Sequence, residues 1–168
     1  MMEITLDSLL ASREARALRQ KDYLRDYPDA TLVCLTVIMP GKVKRDFRSL
    51  IVAGAAVTQM VAVFGASIGA LELRDLPTGY EAYMVTSLPC LQAKAETCRI
   101  EDSHPLGRLF DLDVIGRDGI PLSRAAVGEP QRKCLLCDNT ATFCMRNRTH
   151  TQEELIRRID ELIDAYVQ

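Results

Sequence analysis

At 168 residues, with 48% apolar and 26% charged side chains, the chain has the composition of a single domain that buries a real core. A net charge of -2, sparse aromatics and no tryptophan exclude a dominant basic field or a base-stacking platform, so no nucleic-acid partner is expected. No continuous run approaches the roughly 18–20 apolar residues that span a bilayer.

The start, MMEITLDSLLASREAR, lacks the basic-then-apolar order of a signal peptide. These patterns predict a cytoplasmic chain with no membrane partner, its six cysteines being thiols or metal ligands.

The first predicted element is a helix from about Leu6 to Tyr27, closed by Pro28. Its apolar stripe is Leu6, Leu9, Leu10 and Leu18, and Arg13 and Arg16 share a face three residues apart. TLVCLTVI, Thr31 to Ile38, is continuously apolar and β-branched, as in a strand covered on both sides. After the Pro40-Gly41 turn, Phe47, Leu50, Ile51, Val57, Met60, Val61 and Phe64 read as a buried helix stopped by Gly65.

Two strand-like runs, Ile68–Leu76 and Tyr80–Ser87, flank Pro77-Thr78-Gly79 as a hairpin. Pro89 opens a short helix towards Ile100. A second hairpin joins Leu109–Ile115 to Ile120–Ser123 through Asp118-Gly119. The last helix carries Leu155, Ile156, Ile159, Leu162, Ile163 and Tyr166 at helical spacing, with Thr151 and Glu154 forming a capping box. The predicted fold class is α+β, a mainly antiparallel sheet with packed helices, in one domain over 1–168.

The strongest chemical signal lies in HPLGRLFDLDVIGRDG, from His104. On a strand, Asp111 and Asp113 project to one face, with Leu109 and Ile115 beside them, while Phe110, Leu112 and Val114 take the other. Two carboxylates roughly 6–7 Å apart resist joint ionisation without a cation, and Mg²⁺ prefers such oxygens while leaving positions for phosphates. Gly107 opens the backbone to a phosphate and Arg108 supplies a charge. The competing reading is a solvated strand face.

QRKCLLCDNTATFCMRNRTH brings together Cys134, Cys137, Cys144 and His150. These are the four N/S donors that zinc favours, although the spacing before Cys144 is not the common second knuckle. The alternative is a set of reduced thiols. Pro40-Gly41-Lys42-Val43-Lys44 sits between a strand and a helix, where phosphates are bound, but it lacks the glycines and hydroxyl of a Walker loop.

In chain order, SREAR (Ser12–Arg16), PGKVK, HPLGRLFDLDVI, LSR (Leu122–Arg124) and RKCLLC…CMR…H resemble the citrate lyase holo-acyl-carrier-protein synthases. These are the apo-citrate lyase phosphoribosyl-dephospho-CoA transferases, and the resemblance spans nearly the whole chain. It implies that a serine of the citrate lyase acyl carrier (γ) subunit attacks the α-phosphorus of 2′-(5″-triphosphoribosyl)-3′-dephospho-CoA. Pyrophosphate leaves.

On this resemblance Asp111 and Asp113 hold Mg²⁺, with Arg108 beside them at the reacting phosphates. Gly107, Arg13, Arg16, Lys44 and Arg124 bind substrate; the sequence does not pick a third carboxylate, Glu72 and Glu81 on the preceding hairpin being candidates. The G-R-x-x-D-x-D order is similar to the glycine-then-D-x-D pattern of nucleotidyltransferases, including the malonate decarboxylase counterpart. It departs from them because Arg108 replaces the second small residue. A palm-like fold is the analogy this implies.

Two other functions fit the residues alone: a zinc-dependent binding module centred on the cysteines, and a metal-dependent nucleotide phosphohydrolase using water. The carrier is expected to be acidic, giving Arg45 and Arg48, or Arg146 and Arg148, as docking residues.

Overall fold

Alternating inward and outward side chains build one four-stranded sheet, seen in a computed structural model that describes residues 3–168. The strands are β1 (Thr31–Val37), β2 (Ile68–Leu76), β3 (Gly79–Thr86) and β4 (Phe110–Ile115). Their order is β2-β3-β1-β4, and every neighbouring pair is antiparallel. Five helices pack around them: α1 (Leu6–Asp26), α2 (Phe47–Phe64), α3 (Cys90–Ser103), α4 (Ala141–Asn147) and α5 (Gln152–Val167). The α+β architecture is the one expected.

The two faces of the sheet differ in chemistry. On one, Val33, Leu35, Ala82, Met84, Leu112 and Val114 meet Val52, Ala56, Met60 and Phe64 of α2 and Ile159 and Ile163 of α5. Burial of each large aliphatic side chain contributes about 1.5–3 kcal/mol. On the other, Leu32, Cys34, Tyr83, Val85 and Ile115 form a smaller cluster under Tyr23 and Leu24 of α1. Beyond that cluster this face turns polar, with Asp111, Asp113 and Glu81 on it.

Four expectations are corrected. Leu6, Leu10 and Leu18 face solvent, because α1 lies on an acidic sheet face and docks through arginines and Tyr23. Leu109 belongs to a 3₁₀ turn (Gly107–Leu109), out of strand alternation, and enters the α2-side core instead of accompanying the aspartates. Ile120–Ser123 is not a strand: its contact with β4 is one Ile115–Pro121 bridge and a Leu122 N–H donated to Val114 O at 2.8 Å. Pro121 has no N–H with which to extend the ladder.

The fourth concerns apolar length. Phe47–Ser67 has a mean hydropathy of 1.8, long and apolar enough by composition to cross a bilayer. Ser49, Thr58 and Gln59 interrupt a strict apolar run without lowering the average enough. In this fold the same segment packs against the sheet as its central helix.

Candidate active site

Strand register places the acids. Thr36 pairs with Asp111 on one side and Glu81 on the other, and Cys34 lies between Asp113 and Tyr83. All of them project to the α1 face, so Asp111, Asp113 and Glu81 share one surface, Glu81 two strand spacings (about 10 Å) from Asp111. Thr36 Oγ1 donates to Asp111 Oδ2 at 3.3 Å. Burial, reinforced by neighbouring Asp111, pushes the Asp113 carboxyl above its ordinary range. A pair that repels its own second charge, with oxygen donors only, fits a hard divalent cation.

A cation faces these acids from α1. Arg16 grips buried Glu81, with Nη2 at 2.9 Å and Nε at 3.0 Å from Oε1. The Tyr83 hydroxyl donates to the other Glu81 oxygen at 2.8 Å. Arg19 and the Tyr23 hydroxyl hold Glu72 at 2.8–2.9 Å, far along the sheet on β2. Of the two acids considered as third carboxylate, Glu81 lies two strands from Asp111, whereas Glu72 lies three strands from Asp113 in the next register row. Lys44 donates to Met39 O, and burial, then the nearby Arg13 charge, depresses its amine. Arg13 itself is exposed.

The outer edge of β4 is fixed by charged side chains. Buried Glu101 accepts the Leu112 N–H at 2.9 Å, and Arg132 Nη2 donates to Phe110 O at 2.7 Å and Arg108 O at 3.1 Å. Arg132 Nη1 lies 3.5 Å from Asp111 Oδ1 and 3.7 Å from Glu101 Oε1. The carboxyl of Glu101 is raised by burial, against the pull of Arg132.

Arg124 spends its donors on Glu101, Asp102 and the Pro130 carbonyl. Gly107 donates its own N–H to His104 O at 2.8 Å. A Cβ there would sit 2.3 Å from Glu101 O. Both residues therefore face the protein and support β4.

Lys94 and Glu101 escape the sequence reading. They lie seven residues apart on α3 with Thr97 and Cys98 on the same buried stripe. Two charges on one inward stripe are the signal that was there to find. Arg132 was visible only as part of a basic cluster.

A cavity of about 530 Å³ opens where β1 leaves the sheet, lined by Ile38, Met39, Leu135, Leu155, Arg108 and Arg132 among others. Arg132 thus touches Asp111 and lines the cavity at once. Arg108, its charge disfavoured by burial and then by Arg132, makes no ion pair among the described residues; neither does Arg148 on the same wall. Cys134, Cys144 and His150 complete that wall. With Cys137, their ligand atoms all lie within 4.8 Å of one another.

A family model described as apo-citrate lyase phosphoribosyl-dephospho-CoA transferase matches residues 4–166. The chain belongs to that family. A probable apo-citrate lyase phosphoribosyl-dephospho-CoA transferase of Vibrio cholerae serotype O1 is 38% identical over 169 residues, covering 98% of this chain and 94% of the relative. One of the same name from Streptococcus pyogenes serotype M18 is 36% identical over 168 residues, 97% of this chain and 87% of the relative.

The resemblance carried by the motifs is thereby shown, and the chain is a transferase. In this chain the fold places Asp111, Asp113 and Arg16 on one sheet face, with Lys44 in the loop after β1. Arg108 stands at the adjoining cavity, and Gly107 and Arg124 lie behind the strand.

Proposed function

We propose that this chain, whose family transfers phosphoribosyl-dephospho-CoA to apo-citrate lyase, takes that group from 2′-(5″-triphosphoribosyl)-3′-dephospho-CoA. The acceptor is a serine of the acyl carrier (γ) subunit. The serine oxygen bonds to the α-phosphorus and the bond from that phosphorus to the bridging oxygen breaks. The serine proton is released and pyrophosphate departs.

The observation that carries the reading is Asp111 and Asp113 side by side on a strand face, opposed by α1 and adjoining a cavity with unpaired arginines. A D-x-D pair on an antiparallel sheet is also what the palm-like analogy calls for.

Asp111 and Asp113 would hold Mg²⁺, which when bound neutralises phosphate charge and polarises the reacting phosphorus. The remaining work falls to side chains. Arg16 and Lys44, with Arg13 at the rim, balance the triphosphate. Arg108 meets the phosphates of the dephospho-CoA arm, whose apolar portion lies along Ile38, Leu135 and Leu155. Positioning and charge neutralisation supply most of the rate in such transfers. Arg132 orients Asp111 from behind. A reducing cytoplasm is the compartment this chemistry and six cysteines without a disulfide suit.

Incubation with the triphosphoribosyl precursor, Mg²⁺ and apo carrier, followed by intact mass spectrometry of the carrier, tests this. Asp111→Asn and Asp113→Asn are each expected to slow the mass gain by about 100-fold or more, with the fold unchanged by circular dichroism. Precursor hydrolysed without carrier would favour a phosphohydrolase. A carrier that gains no mass with native protein would sink the transferase reading.

A further inference from the structure

Between Arg117 and Thr149 the only buried side chain is Cys144, with Leu135 partly buried against the main core. That stretch holds one four-residue 3₁₀ turn and the seven-residue α4, and Phe143 and Met145 are exposed. So little buried apolar surface does not offset the entropy of ordering so long a segment. Yet the segment delivers two parts with defined positions: Arg132 against Asp111, and one wall of the cavity. Leu135 and the ion pairs of Arg124 and Arg132 tie it down at points, and the rest needs a further staple.

The cysteine cluster sits where such a staple would act. Cys137 Sγ is 3.5 Å from Cys144 Sγ and 3.4 Å from His150 Nε2. Around a tetrahedral zinc, bonds of about 2.3 Å to sulfur and 2.0–2.1 Å to nitrogen give S–S edges near 3.8 Å and S–N edges near 3.5 Å. The two Cys137 edges are close to these lengths, and all four ligand atoms lie within 4.8 Å of one another, a span that suits a single ion.

The backbone is folded to match. Cys134 N–H donates to Asn139 O at 2.7 Å, Lys133 bridges to Thr140, and the Leu136 N–H points at Cys134 Sγ from 3.5 Å. This tight turn presents Cys134 and Cys137 to one point, and α4 brings Cys144 to it. Three thiolates and an imidazole select zinc over the oxygen-seeking Mg²⁺.

We propose that Cys134, Cys137, Cys144 and His150 bind one Zn²⁺ that holds the segment from Gln131 to His150 in place. The ion thereby seats Arg132 behind Asp111 and builds the cavity wall. It takes no part in the transfer and is distinct from the Mg²⁺ at the aspartates. The metal site stands whether or not the transferase reading does, and its test needs no carrier or precursor.

Full-length protein, purified under reducing conditions from zinc-replete cells, is analysed for metals by plasma mass spectrometry. One zinc per chain is expected, lost in Cys137→Ser and His150→Ala. Native protein stripped with a chelator is expected to be cleaved within 131–150 about tenfold faster by a limiting protease, and added Zn²⁺ restores resistance. Reduced protein that holds no zinc and takes up none would overturn the proposal. So would stoichiometric iron, a Cys137–Cys144 disulfide in the intact mass, or chelation that leaves the cleavage rate unchanged.

Discussion

Gly107 shows how a residue's place in a motif and its place in a fold diverge. In HPLGRLFDLDV it reads as backbone access for a phosphate, yet its missing side chain makes room for the Glu101 and Ile100 carbonyls, 2.3 and 2.8 Å from where a Cβ would stand. Both obstacles are backbone, so neither can swing aside. Gly107→Ala is expected to lower unfolding free energy by about 1–3 kcal/mol, read from urea denaturation. Unchanged stability with a raised KM for the precursor would return the glycine to a phosphate-binding role. Arg132 is the converse: nothing in QRKC distinguishes it, and the fold gives it three carbonyl contacts and Asp111.

Helix α1 illustrates what element-level patterning captures. Its limits and N-terminal cap follow from local sequence, with Thr5 and Ser8 closing a capping box and Pro28 just beyond its end. Which face is inner does not, because the surface beneath it carries Glu81 and Glu72 and is satisfied by Arg16, Arg19 and Tyr23.

Helix α5, with the strongest apolar stripe, was legible throughout. Its attachment includes Tyr166 packed at a tilt against His104, whose ring also meets Phe110. His104 Nδ1 accepts the Leu106 N–H at 3.0 Å, and burial lowers its basicity. The unfolded chain takes up this proton at higher pH than the folded one, so the stabilisation is present above about pH 6.5 and is lost as pH falls towards the folded value. Melting temperature measured from pH 7.5 to 5.5 is expected to fall more steeply for the native chain than for His104→Gln. Identical slopes would remove His104 from this role.

At the scale of the whole molecule, one sheet separates two jobs. Its α2 face supplies stability, and its α1 face supplies a charged surface that adjoins a cavity at the end of β1. The cavity reading makes Arg108 an anchor for the phosphates of the precursor. Losing hydrogen bonds to a charged group costs about 1.5–3 kcal/mol, roughly 10- to 100-fold. Arg108→Ala is expected to raise KM for the precursor by that factor with stability retained, while Arg146→Ala, exposed and outside the cavity, leaves it unchanged. Equal effects of the two would move the substrate arm elsewhere.

The sequence by itself determined the α+β class, nearly every element limit, the D-x-D face and the four donors of the cysteine cluster. Each of these depends on periodicity or spacing within a few residues, which the chain states locally. Only the tertiary structure decided that Glu81 shares the aspartates' surface, that α1 binds through arginines, and that Glu101 and Arg132 fix the edge of β4. It also reduced the Ile120–Ser123 strand to a single bridge, where Pro121 lacks the N–H to continue. Those facts depend on register between distant strands and on what each helix finds beneath it, and neither is written in any short stretch of chain.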